Sequence, residues 1–374
     1  MSVRSLGLLC LLLFAVPGCA TKTAQGPAGD AHVVIQNAAQ LFESWNDHGP
    51  GNHTLSDVSA MRGEIDILKK ALAATGDEHT GIALAFYTAQ IEAALTANMK
   101  LSGTTIDRAM GEDALRNFDI VLAYKGDMSE WPINLIDAGY SAGSVSWSMD
   151  GTSDRTLRYW NNCAEQGHPG CINNVAFELT KRPAASDSDI RHALDLHATV
   201  VDTGNRARCA GQFSAVTMAQ LIHFTGIERP GSDEIALLDN AQSLYQNLKS
   251  TTGAKDPCGG ARIGLDEYMM RLDRGDRQES YLNSVLEQSS SPLWRRIAGY
   301  MQDRVSDAEL TQTIAGADPQ DACIYHFYAA WRATQRHQLR IAREHYNAMA
   351  GLDVQDCGPN TLMMQRYLKP VALR

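Results

Sequence analysis

Apolar residues recur along most of this chain at steps of three and four, and apolar–polar alternation is almost absent. Ile82, Phe86, Ala89 and Ala93 follow that step, as do Leu115, Phe118 and Leu122. Ile235, Leu238, Ala241, Tyr245 and Leu248 form a third such stripe. Stop and start signals stand between the stripes: Gly76-Asp77, Gly126-Asp127, Gly151-Thr152-Ser153, Gly204-Asn205 and Pro230-Gly231-Ser232. The spacing predicts roughly sixteen helices of about 12–20 residues, joined by short turns. Such a chain is expected to be all-α, built of antiparallel helical hairpins stacked side by side.

The first nineteen residues follow different rules. Arg4 precedes an apolar run from Leu6 to Val16, and the run ends in Val16-Pro17-Gly18-Cys19. That layout is a secretory leader, too short to stay across a bilayer. The tetrapeptide resembles the lipobox of bacterial lipoproteins, in which signal peptidase II cuts before the cysteine and the thiol receives a diacylglyceryl group. Pro17 stands where Ala or Ser is usual. The rival is cleavage after Ala20, which would leave a soluble periplasmic or secreted protein. The resemblance implies a leader over residues 1–18, lipidation at Cys19 and a flexible tether over 19–30, small and polar from Thr21 to Gly29. Residues 31–374 then form a helical-repeat domain, with room for two sub-arrays meeting near residue 150. Ala20 rather than Asp after the cysteine implies the outer membrane, periplasm-facing.

Charge and cysteine usage fit that compartment. The chain has 33 Lys and Arg against 43 Asp and Glu, a net charge of −10. With no basic cluster to offset it, such a surface repels phosphate backbones, which excludes nucleic acid as a partner. Cys10 leaves with the leader and Cys19 is the lipid site. Cys163, Cys171, Cys209, Cys258, Cys323 and Cys357 remain. An even number in an exported chain reads as disulfides. Several connectivities are open, and the sequential one is expected: 163–171, 209–258 and 323–357, each tying two neighbouring helices. No C-x-x-C and no Cys/His group at zinc-ligand spacing occurs, so neither metal nor cofactor is expected.

Two stretches carry a repeat-like pattern. From Cys323 to Gly351, Ala330, Ala342 and Tyr346 fall on the small and aromatic positions of a tetratricopeptide repeat, which this segment resembles. His326 and Met349 depart from the pattern, standing where a large apolar residue and Ala are usual. Asn162-Cys163-Ala164-Glu165-Gln166-Gly167 through Cys171 resembles the junction of Sel-type repeats, whose cysteine-rich members bridge two cysteines at this separation. The run from Cys209 to Ala241 is a looser match. These resemblances imply a non-catalytic scaffold or adaptor that binds an envelope protein or peptide through a groove between hairpins.

Chemistry-bearing motifs are few. Gly139-Tyr140-Ser141-Ala142-Gly143 fits G-x-S-x-G, so a serine hydrolase using Ser141 is one alternative, and an architectural subunit of an envelope complex is another. The elbow needs a buried strand before it and a helix after it. Ile133, Leu135 and Ile136 make a thin strand, and small-residue packing between helices explains the glycines more simply. His192 and His197 do not share a helical face as metal ligands would. His337 and His345 flank an Arg-rich turn and are expected in solvent. Asp318/Asp321 and Asp353/Asp356 are expected to cap helices. Of Trp45, Trp131, Trp147, Trp160, Trp294 and Trp331, most are expected in the core and one or two in the groove.

Overall fold

The computed structural model describes residues 31–47, 53–102, 104–129, 131, 133–182, 184–203, 208–353 and 357–371. The leader, Cys19, the tether and Asp356 lie outside the described residues. Among those residues all regular structure is helical, with seventeen α-helices packed in consecutive pairs, as the periodicity predicts. The helices gather into two compact units, with the line between Cys171 and Ile172.

The N-terminal unit holds α1 (Ala31–Asp47), α2 (Leu55–Ala74), α3 (Glu78–Ser102), α4 (Arg108–Ala123), α5 (Leu135–Asp150) and α6 (Asp154–Glu165). Helix α7 (Pro169–Thr180) runs across the dividing line. Helix α3 organises this unit. Every residue from Ile82 to Ala97 is buried, and α1, α2, α4 and α5 all pack on it. A helix with apolar residues on every side belongs inside, and Thr88, Gln90, Glu92 and Thr96 are buried along with them. The many alanines of α3 let four neighbours approach closely.

The C-terminal unit holds α8 (Asp187–Asp202), α9 (Arg208–Thr225) and α10 (Glu234–Thr252), followed by a 3-10 turn (Pro257–Arg262). Next come α11 (Ile263–Asp273), α12 (Ser280–Gln288), α13 (Pro292–Met301), α14 (Asp307–Ala315), α15 (Pro319–Gln335), α16 (Leu339–Ala350) and α17 (Asn360–Val371). Helices α9, α11 and α15 are buried almost all round, whereas α10, α12, α14 and α16 bury only a stripe. Helix α17 returns to pack on α9 and on α15. That long-range packing brings the last helix among the described residues to the first inner helix of the unit.

Local chemistry sets the helix ends. Thr54 with Asp57, Ser186 with Asp189 and Ser306 with Glu309 form reciprocal capping boxes. Asp107, Asn134, Ser153, Asp233 and Asp318 each accept from a first-turn amide. Gly151 (φ 66°) and Gly253 (φ 68°) close α5 and α10 in conformations that side chains resist.

The six cysteines pair in sequence order, with Cα separations of 5.9 Å for 163–171, 5.6 Å for 209–258 and 5.3 Å for 323–357. Only the first joins two neighbouring helices, α6 and α7. The second runs from α9 to the turn that enters α11, passing over α10. The third runs from α15 to the turn before α17, passing over α16. Two bridges therefore tie an inner helix to a turn that lies beyond the next helix of the chain.

Candidate functional site

Ser141 lies in the middle of α5, not on a strand-to-helix elbow. It is buried, and its hydroxyl donates to Gln90 Oε1 at 2.9 Å. A methyl group at Gly143 would run into the Trp160 indole, and one at Gly139 would meet Cys163. The glycines thus let α5 and α6 touch. The exposed nucleophile geometry that gives G-x-S-x-G its meaning is absent at this serine.

The described cluster with the richest chemistry runs through the C-terminal unit, and sequence reading did not find it. Asp266 and Asp273 stand seven residues apart on α11 and so share a face. At the lower level, Asp266 Oδ1 accepts from Gln220 Nε2 of α9 (2.7 Å) and from the Tyr328 hydroxyl of α15 (3.1 Å). At the upper level, Asp273 Oδ2 lies 2.7 Å from His223 Nε2 and accepts from the Tyr367 hydroxyl (2.9 Å) and Trp331 Nε1 (3.3 Å). Gln335 Nε2 donates to Asp273 Oδ1. The other nitrogen of His223 lies 3.2 Å from Glu234 Oε1, which also pairs with Arg274. Gln220 and His223 are one turn apart on α9, and Tyr328, Trp331 and Gln335 are successive turns of one face of α15. A polar seam therefore joins α9, α10, α11, α15 and α17.

Its electrostatics differ between the levels. Burial alone would lower the His223 pKa, but the bonds to Asp273 and Glu234 outweigh it and hold His223 at about 9. His223 is therefore an imidazolium at neutral pH, a fixed charge and not a base. Burial raises the Asp266 pKa, against the opposing pull of Arg262, Gln220 and Tyr328. Asp266 Oδ2 has no hydrogen-bond partner.

Two other buried groups belong to the same inventory. His197 is fully buried, with Nδ1 3.2 Å from Ser214 Oγ, and that hydroxyl lies 3.1 Å from Asn173 Oδ1. Burial lowers its pKa to about 3, so it stays neutral. His192 is exposed and does not join it. In the N-terminal unit, burial raises the pKa of the fully buried Glu92 to about 7. Lys69 opposes that rise, its Nζ 2.7 Å from Glu92 Oε1 without the alignment of a hydrogen bond, and it also bonds Asp113.

The expectation that His345 sits in solvent is corrected. His345 of α16 is half-buried, with Nδ1 2.9 Å from Nδ1 of His326 on α15. Burial and the His345 charge lower His326 to about 4, and burial lowers His345 as well. The unfolded chain takes up these protons near the ordinary value of about 6.5. A histidine depressed in the folded state stabilises fully above that value, and the contribution is lost as pH falls through the folded pKa. We expect stability to decline between about pH 6.5 and 4, with roughly 1–2 kcal/mol from this half-buried pair after solvent screening. Thermal melts of His326→Leu across that range should show a shallower decline than the parent chain; parallel curves would refute it.

Among the described residues, no group of three or more His, Cys, Asp or Glu is set to hold a metal ion. No helix among them is long and apolar enough to cross a membrane. Trp45, Trp131, Trp160, Trp294 and Trp331 are core residues, and Trp147 is half-buried beneath Lys100. Compared with protein-family models and with curated protein sequences, the chain matches none.

Proposed function

We propose that this protein is an exported lipoprotein, anchored through Cys19 and facing the periplasm, that binds an envelope protein or peptide through its stacked hairpins. Three disulfides in a fold built of helical hairpins carry the reading. Such bridges persist in oxidising compartments, and stacked hairpins offer long recognition surfaces from side chains alone. The α15–α16 hairpin supports the kinship with tetratricopeptide repeats, since Ala330 and Ala342 are both fully buried where two helices must approach. The α6–α7 hairpin, bridged by Cys163 and Cys171, supports the kinship with Sel-type repeats.

Two measurements test it. Cys19→Ala should release the protein from membranes into the soluble fraction, and retention would overturn the anchor. In-cell crosslinking, capture and mass spectrometry should return one stoichiometric envelope partner. If none is returned and a serine-reactive phosphonate labels Ser141, the hydrolase alternative replaces the adaptor.

A further inference from the structure

Arg262 ends the 3-10 turn before α11 and is half-buried. Its guanidinium carbon lies 5.3 Å from the centroid of Phe213 on α9 and 5.5 Å from that of Trp294 on α13. The other half-buried or buried arginines of the described residues all have an acceptor. Arg155 has Glu112, Arg229 has Asp195, Arg271 has Glu267, Arg295 has the Ser289 carbonyl, Arg332 has Asp303 and Arg366 has Asp187. Arg262 has neither an ion pair nor a hydrogen-bond acceptor of this kind. Four residues on, Asp266 attracts Arg262 from beyond ion-pair distance, and its buried Oδ2 has no hydrogen-bond partner.

We propose that Arg262, flanked by Phe213 and Trp294, is the recognition element of a binding site for the carboxylate of a peptide partner. This rests on the peptide-binding reading above and names the chemistry that such a partner presents. A guanidinium offers donors in a planar fork that matches a carboxylate with two parallel bonds. Aromatic faces hold the cation without using its N–H groups, which stay free for a ligand. The nearest counter-charge of Arg262, Asp266, acts on it only from beyond ion-pair distance, and a ligand carboxylate would supply the contact partner that the guanidinium lacks. Asp266 a turn away disfavours a dianion more than a monoanion, which favours carboxylate over phosphate. The carrier is also rigid. The turn is tied to α9 through Cys258–Cys209, Asp256 accepts from the Ala261 amide at 2.9 Å, and Gly260 lies against Gln212 and Tyr245.

The test uses the disulfide-intact protein, titrated with N-acetylalanine, N-acetylalaninamide and inorganic phosphate. Calorimetry is the readout, with tryptophan fluorescence assigned by Trp294→Phe. We expect saturable binding of N-acetylalanine in the millimolar range and none of the amide. Arg262→Gln should weaken it roughly tenfold or more. Arg262→Lys, which keeps the charge and loses the fork, should weaken it less. Equal binding of amide and acid, no saturable binding, tighter binding of phosphate, or affinity unchanged in both variants would each overturn the proposal. A crosslinked partner whose capture is indifferent to Arg262→Gln would leave the adaptor reading standing and remove this one.

Discussion

Replacing Cys209 with Ser is expected to lower the stability of the C-terminal unit by about 4 kcal/mol, the largest loss among the three bridges. The reason is loop length. Cys209 and Cys258 are 49 residues apart, against 34 for Cys323–Cys357 and 8 for Cys163–Cys171. Closing a longer loop removes more freedom from the unfolded chain, so Cys163→Ser should cost only about 2–4 kcal/mol. The bridge also anchors an awkward backbone, because Cys258 sits at φ 57° without being glycine and Gly259 follows at φ 65°. Denaturant titrations of Cys209→Ser and Cys163→Ser under oxidising conditions, beside the parent, check the ranking. A smaller loss for Cys209→Ser than for Cys163→Ser would refute the loop-length argument.

Asp273→Ala should cost about 3–5 kcal/mol, the range expected when one partner of a buried charge network is removed. Asp273 is the common acceptor of His223, Trp331, Gln335 and Tyr367, which come from three helices. Without it, four donors are stranded in a site where water cannot readily replace the carboxylate. Asp273→Asn keeps the shape and part of the hydrogen bonding, so it should cost less. The network also has a pH signature. His223 has a raised folded pKa, so its stabilisation is fully present below about pH 6.5 and is lost as pH rises toward 9 and beyond. In Asp273→Ala that alkaline loss should shrink, because a main cause of the raised pKa is gone. Melts from pH 6 to 10 decide it. A variant as stable as the parent, with an unchanged alkaline slope, would mean that the seam is incidental to the fold.

The two kinds of result differ in how far apart the interacting residues lie. Helices, caps and hairpins are encoded within a few residues, and there the sequence is legible. The step of Ile82, Phe86, Ala89 and Ala93 reports burial on α3, and Asp318 caps α15 as its position suggests. The 163–171 bridge follows from the same locality, whereas 209–258 and 323–357 each skip a helix. Sequence alone therefore determined an all-helical chain of stacked hairpins with six cysteines available for bridges.

Tertiary structure alone decided what the buried polar residues do. Asp273 meets His223 across 50 positions and Tyr367 across 94, and Asp266 meets Tyr328 across 62. No local period records such meetings; they arise because α9, α11, α15 and α17 come together in the folded unit. Ser141 shows the opposite case, a local motif whose chemistry depends on a turn that the fold does not make. The burial of His345 is likewise hidden from local sequence, because its partner His326 lies on another helix. Arg262 is one of many arginines by sequence, and only packing leaves it half-buried between two aromatic rings without an acceptor. Helix formation is decided by hydrogen bonds and caps within a turn or two. Charge and burial are set by distant neighbours, and those neighbours are known only once the chain has folded.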